Sequence, residues 1–184
     1  TRTRVQMQKA CPFELSTFEG YCLLTSSFFS AYMTNTEHRL LQAERDKTED
    51  NTIILHDFFY KNYDLKIKYD PSDPLKPFVE FDDQIIGSTA EAFGTIYGNG
   101  KLMCTQPVAY DSYYNVCQKF VFLYSTIYVG GKGTVGTYVN ILEWISDEEA
   151  EQYKKEENYI QLYLTFKPFR FIEIGISEKR KEVR

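Results

Sequence analysis

Along residues 52–142 apolar and polar positions alternate in short runs, with turn residues between them and no long helical period. Thr52–Tyr60, Leu65–Tyr69, Phe78–Phe81, Thr89–Tyr97, Tyr113–Leu123, Thr126–Val129 and Thr134–Leu142 are rich in β-branched and aromatic residues. The breaks include Asp70-Pro71-Ser72-Asp73-Pro74, Gly87, Gly98-Asn99-Gly100, Pro107 and Gly130-Gly131-Lys132-Gly133. A period of two reads as strand and these residues as turns, so the pattern predicts an antiparallel meander. Tyr159–Phe166 and Phe169–Ile176 alternate again around Lys167-Pro168 and are read as a closing hairpin. The fold class is therefore mainly β: a single closed antiparallel barrel of about eight to nine strands, because a meander hides its apolar face and its edges by curling on itself.

The flanks lack this alternation. Residues 1–50 are read as an N-terminal arm, polar and basic over 1–10, with Cys11–Leu24 as a small loop or turn of helix pinned to the barrel. Ser30–Lys47 spaces Tyr32, Met33, Leu40 and Leu41 loosely at helical intervals, which fits a short helix or an irregular arm. Arg45–Asn51 is a charged linker, and the barrel domain is placed at 51–177. Within it Ser146 stands where an N-cap belongs, followed by acids and then lysines, so one short surface helix is expected near 146–157. Residues 178–184 form a charged tail.

Composition narrows the function classes. A chain of 184 residues is one domain by size, and its 15 tyrosines and 14 phenylalanines favour strands or an aromatic-lined cavity. A net charge of -5 leaves no basic surplus to displace counterions, which argues against a nucleic-acid partner. No run reaches the roughly 20 apolar residues of a membrane span. The 4 cysteines have no CxxC spacing and there are 2 histidines, so no metal site is expected. Two disulfides, and with them a secretory route, are read in preference to four buried thiols in a soluble cytoplasmic chain; of the three connectivities that four cysteines allow, sequence chooses none, with Cys11–Cys22 and a Cys104–Cys117 bridge across a long hairpin as the pairings considered. Gly130-Gly131-Lys132-Gly133-Thr134 lacks phosphate-loop spacing and has no following helix.

The candidate chemistry is carried by carboxylates. In the apolar run holding His56-Asp57, alternation sends one side chain inward, and an inward Asp57 with its pKa raised by burial would serve as general acid or base. Asp83 shares a face with Phe81, so Asp57 and Asp83 could form an interior acidic pair. Set against this is the simpler reading of both, His56-Asp57 as a strand-end pair satisfying backbone groups or a neighbouring tyrosine and Asp82-Asp83 as the start of the turn toward Gly87. Inward aromatics, among them Phe81, Tyr97, Tyr114, Phe122 and Tyr138, would line a ligand cavity together with His56.

Ile54-Leu55-His56-Asp57-Phe58-Phe59-Tyr60, Val79-Glu80-Phe81-Asp82-Asp83-Gln84-Ile85 and Ser88–Tyr97 resemble successive strand motifs of plant dirigent proteins, and Cys117–Phe122 takes the place of that family's aromatic strand. The related allene oxide cyclase barrels share the architecture. The resemblance covers Thr52 to about Gly136. It implies an eight-stranded barrel, often a homotrimer, that needs no cofactor and steers cyclisation, isomerisation or coupling of a small hydrophobic or phenolic molecule. Two other readings stand beside it: a secreted lipocalin-like carrier without catalysis, and a protein–protein interaction module using the aromatic surface.

Overall fold

The computed structural model describes residues 11–33 and 36–166, with 158–166 described as backbone alone. Ten strands follow in order: β1 Gly20–Ser26, β2 His38–Arg45, β3 Thr52–Leu55, β4 Leu65–Asp70, β5 Phe78–Glu80, β6 Gln84–Ser88, β7 Lys101–Thr105, β8 Ser112–Asn115, β9 Phe120–Val129 and β10 Gly133–Ile145. Neighbours run β10-β1-β2-β3-β4-β5-β8-β9, and pairing of β9 with β10 closes this eight-stranded antiparallel ring. β6 and β7 form a hairpin outside it that hangs on β9.

The hairpin explains how the ring is built. β9 pairs through Phe120–Phe122 with β8 and through Thr126–Val129 with β7. β7 and β8 therefore run in line along one long partner, interrupted by residues 106–111. On the other side β5 and β6 are likewise one strand direction broken at 81–83. β5 stays on the β4 ladder, while β6 is joined to β4 by a side chain: Lys66 N–H donates to Gln84 Oε1 and Gln84 Nε2 donates to the Lys66 carbonyl, both at 2.8 Å. A glutamine amide thus replaces a ladder pair, and the barrel wall has a slit there.

Strand alternation fills the interior. Val121, Leu123, Ser125, Ile127 and Val129 of β9 are buried, as are Asn140, Leu142 and Trp144 of β10, Cys22 and Leu24 of β1, and Leu65, Ile67 and Tyr69 of β4. Midway along the barrel Asn140 is fully enclosed; it accepts from Ser26 Oγ at 2.7 Å and donates to Ser125 Oγ at 2.9 Å and to the Leu123 carbonyl at 3.0 Å. Aromatic layers pack at both ends. At one, a 3-10 turn at Leu15–Phe18 inserts Phe18 among Tyr69, Trp144 and Tyr114, with ring centroids 4.5, 5.1 and 5.7 Å away. At the other, Phe28 of helix α1 (Ser27–Tyr32) meets Phe59 at 4.6 Å and Tyr138 at 5.2 Å, and Tyr32 meets Phe93 of helix α2 (Thr89–Phe93) at 5.5 Å.

Several expectations are corrected. The expected N-terminal arm over 1–50 is not one over 20–45, because β1 and β2 are two of the eight barrel strands; its first ten residues lie outside the described residues. The first expected strand ends at Leu55, and 56–64 is a connection whose turns place Asp57 and Asn62 at positive φ. Thr89–Tyr97 is not a strand: Ser88 and Glu91 form a reciprocal capping box that starts α2, and Gly94 ends it at φ 71°. Gly87 lies within β6 and not in a turn; a Cβ there would come 2.6 Å from Tyr60 Cδ2, so glycine is what lets that ring lie against the strand. Tyr159–Phe166 is helical, and Phe169–Ile176 and the 178–184 tail lie outside the described residues.

The surface helix exists but is longer than expected, α3 at Asp147–Phe166. Ser146 caps it as read: its Oγ accepts from Glu149 N–H at 3.2 Å, and its own N–H donates to Glu149 Oε2 at 2.9 Å. The first compact unit ends at Ala150, whose side chain is buried, and 151–166 continue the helix in a second unit, where Lys154 pairs with Glu151 at 2.7 Å.

Candidate functional site: a slit in the barrel wall

Where β5 passes into β6 the wall opens into a cleft of about 420 Å³, lined by Glu49, Thr52, Lys66, Ile67, Lys68, Glu80, Phe81, Asp82, Gln84 and Gln106. Chain geometry dictates this. Phe81-Asp82-Asp83 leave the ladder, so Phe81 N–H turns to Gln106 Oε1 at 3.2 Å, and Gln84 bridges the gap to β4. Two amides therefore occupy positions where backbone pairing stops. Ile67 and Phe81 give the cleft an apolar floor, while its rims carry opposite charge: Lys66 and Lys68 from β4, Glu80 and Asp82 from the broken strand.

The cationic rim is anchored from the side. Lys66 Nζ pairs with Asp46 Oδ2 and lies 3.6 Å from Glu49 Oε1. The Asp46 side chain is 4% exposed, and the Lys66 ammonium with the Thr48 donors holds its carboxyl well below the usual carboxylate range. Lys68 faces Glu80 across the β4–β5 ladder.

The expected catalytic pair is not assembled. Asp57 sits in the 56–64 connection, where its Oδ1 accepts from Asn62 N–H and its own N–H donates to Asp64 Oδ1 at 3.0 Å. Asp83 is exposed outside the barrel, and hydroxyls of Thr105 and Tyr128 hold its carboxyl below the usual range, opposite to the raised value that an acid–base role asks for. Both are turn or break residues using side chains to satisfy nearby donors, and no interior carboxylate pair arises from them. His56 is likewise outside, with Nδ1 3.0 Å from Asp64 Oδ2 and Nε2 3.4 Å from Glu44 Oε2.

The expected ligand-binding aromatics are scattered. Phe81 floors the slit, Tyr114 joins the aromatic layer around Phe18, and Tyr138 joins the layer at the opposite end. Phe122 faces outward on β9 in a stack with Tyr113 at 5.4 Å, and Tyr97 is an exposed loop residue under Lys132 Nζ at 5.5 Å. The cysteine pairing also differs: Cys11 bonds Cys117, and Cys22 and Cys104 are buried free thiols. Cys104 lies beside Ile127 on the inner face of β7, whereas Cys117 is in the turn beyond β8, so the expected bridge across one hairpin has no geometry to form. Burial pushes the Cys104 thiol up to about 12, which leaves it inert at neutral pH.

Gln84 and Gln106, the two residues that shape the slit, escape sequence reading, since neither type marks a strand break; the only signal was the Asp-rich interruption at 82–83. The family model of DUF4984, a domain of unknown function, matches residues 1–156. The chain belongs to this family. The match spans the whole barrel of this DUF4984 member and the start of α3. No curated protein and no solved structure matches it. No helix among the described residues is long and apolar enough to cross a membrane, and no group of three or more His, Cys, Asp or Glu side chains among them is placed to hold a metal ion.

Proposed function

We propose that the protein is a non-catalytic binding barrel that takes a small zwitterionic molecule, such as an amino acid or short peptide, in the slit beside β4. The observation that carries this reading is the cleft itself: about 420 Å³, within the range of small-molecule sites, with Lys68 beside the Glu49-paired Lys66 on one side and the carboxylates of Glu80 and Asp82 on the other. A ligand carboxylate would meet Lys68 and its ammonium would meet Glu80 and Asp82, while Gln106 and Gln84 frame the middle. The outward placement of Asp57 and Asp83 favours binding over cyclisation or isomerisation, and the polar rims favour a hydrophilic ligand over a phenolic one. A disulfide closing 106 residues of sequence separation fits an oxidising compartment, so we place the protein on the secretory route.

Saturation-transfer NMR and calorimetry against free amino acids, dipeptides, neutral monosaccharides and fatty acids test the proposal. Zwitterions bind, and binding weakens with salt because the rims are exposed. Lys68→Gln and Glu80→Gln each weaken it by about fivefold, equivalent to about 1 kcal/mol. Binding of fatty acids or sugars alone, or zwitterion affinity untouched by both substitutions, overturns it.

A further inference from the structure

The aromatic layer around Phe18 holds two polar atoms that the barrel leaves without a partner. Tyr69 is 1% exposed and Trp144 is 8% exposed, and neither the Tyr69 hydroxyl nor Trp144 Nε1 finds a hydrogen-bond partner among the described residues. Both rings pack directly on Phe18, at 4.5 and 5.1 Å, and Tyr114 and Phe13 complete the box. Buried donors left unpaired are costly, and two within one aromatic box are an arrangement a hydrogen-bond acceptor would complete.

Phe18 stands in this box as part of a separable segment. The backbone hydrogen bonds of the turn, Thr17 to Glu14 at 3.0 Å and Glu19 to Ser16 at 3.3 Å, are internal to it, and residues 11–18 belong to no sheet ladder. What ties the segment down is packing of Phe13, Leu15 and Phe18, together with the Cys11–Cys117 disulfide to the β8–β9 turn.

We propose that this box is a second ligand site, separate from the slit, for a neutral aromatic carbonyl compound whose ring takes the place of Phe18 and whose oxygen accepts from Tyr69 and Trp144. A carbonyl oxygen offers two lone pairs to two neutral donors, whereas a carboxylate buried there would lose its hydration without a cation to meet it. The disulfide is the latch that keeps Phe18 in place and the site closed.

Cys22 reports on the latch. It is fully buried and lies opposite Trp144 on the β1–β10 ladder, whereas Cys104 is buried on β7, which pairs with the far end of β9 at Thr126–Val129. In the full chain carrying Cys11→Ser and Cys117→Ser, N-ethylmaleimide should modify Cys22 at least tenfold faster than in the wild type, with Cys104 still protected. The fluorescent aryl ketone Prodan should bind that variant at least tenfold tighter than the wild type, and adding Tyr69→Phe or Trp144→Phe should each weaken it fivefold or more, Tyr69→Phe with no loss of thermal stability. A purely structural box predicts otherwise: Cys22 stays protected, or Prodan binds equally with and without the two donors. Modification of Cys104 together with Cys22 would mean the whole barrel loosens, and it too overturns the proposal.

Discussion

Asn140 shows most directly how a single polar side chain is made to fit this core. It faces inward on β10 and is fully enclosed, yet every group it meets is complementary: a hydroxyl donor from Ser26, a hydroxyl acceptor at Ser125 and the Leu123 carbonyl. The network ties β1, β9 and β10 together where the ring closes. Replacing Asn140 by Leu keeps the branched outline of the side chain and strands three polar groups, so it should destabilise by about 1–3 kcal/mol or more in denaturant unfolding. Adding Ser26→Ala and Ser125→Ala should recover most of that loss, because removing both sides of a buried hydrogen bond is far cheaper than removing one. A triple variant no more stable than Asn140→Leu would show that shape and not polarity sets the position. Sequence pattern alone hides this residue, since an asparagine inside an alternating run reads as outward-facing until the register of β10 against β9 is known.

At the scale of elements, the broken strands are what turn a plain barrel into one with a site. β5 and β6 together span what one strand would, and Gln84 supplies the missing pair to Lys66. A side chain can do this because an amide carries the same donor and acceptor as a peptide group. Gln84→Ala should leave the eight-stranded ring folded, since β5 keeps its ladder with β4, but the Lys66 amide should exchange with solvent about tenfold faster, from loss of roughly 1.4 kcal/mol of local protection. Ile67, whose partner on β3 is Ile53, is the internal control and should be unaffected. Equal protection of Lys66 in both proteins would mean that the slit is held by something other than this amide. The helices follow the same logic of local chemistry: Ser88 with Glu91 and Ser146 with Glu149 each close a capping box, and the first of these overrode the strand-forming residues of Thr89–Tyr97.

For the whole molecule, strand number and closure were legible because alternation and turn residues report them directly, while the identity of the closing strands was not. The ring closes through β1 and β10, while Tyr159–Phe166, expected as half of the closing hairpin, is helical; β1 was hidden because Gly20 and Cys22 made it resemble a pinned loop. β2 buries only Leu41 and Ala43 of its eight residues, too few for a period of two to stand out. The site was less legible still, since carboxylates in breaks carry the same sequence signature whether they face in or out. Disulfide connectivity is a property of the closed barrel alone: the β8–β9 turn that holds Cys117 comes beside residue 11 only once β1 and β10 have joined, which separates Cys117 from Cys104 despite their closeness in sequence. A bridge across a separation of 106 residues restricts the unfolded chain over most of the barrel, which predicts about 2–5 kcal/mol of stabilisation and a fall in Tm of roughly 5–15 °C on its removal. Cys11→Ser with Cys117→Ser should show that fall with the barrel's circular dichroism unchanged, and reductant should then have no further effect. Because Cys22 and Cys104 are free thiols, Cys22→Ala and Cys104→Ala should both keep the wild type's sensitivity to reductant. If either alanine variant lost that sensitivity while Cys11→Ser kept it, the covalent tie would run elsewhere in solution, and the fastening of the N-terminal segment over the aromatic end would go with it.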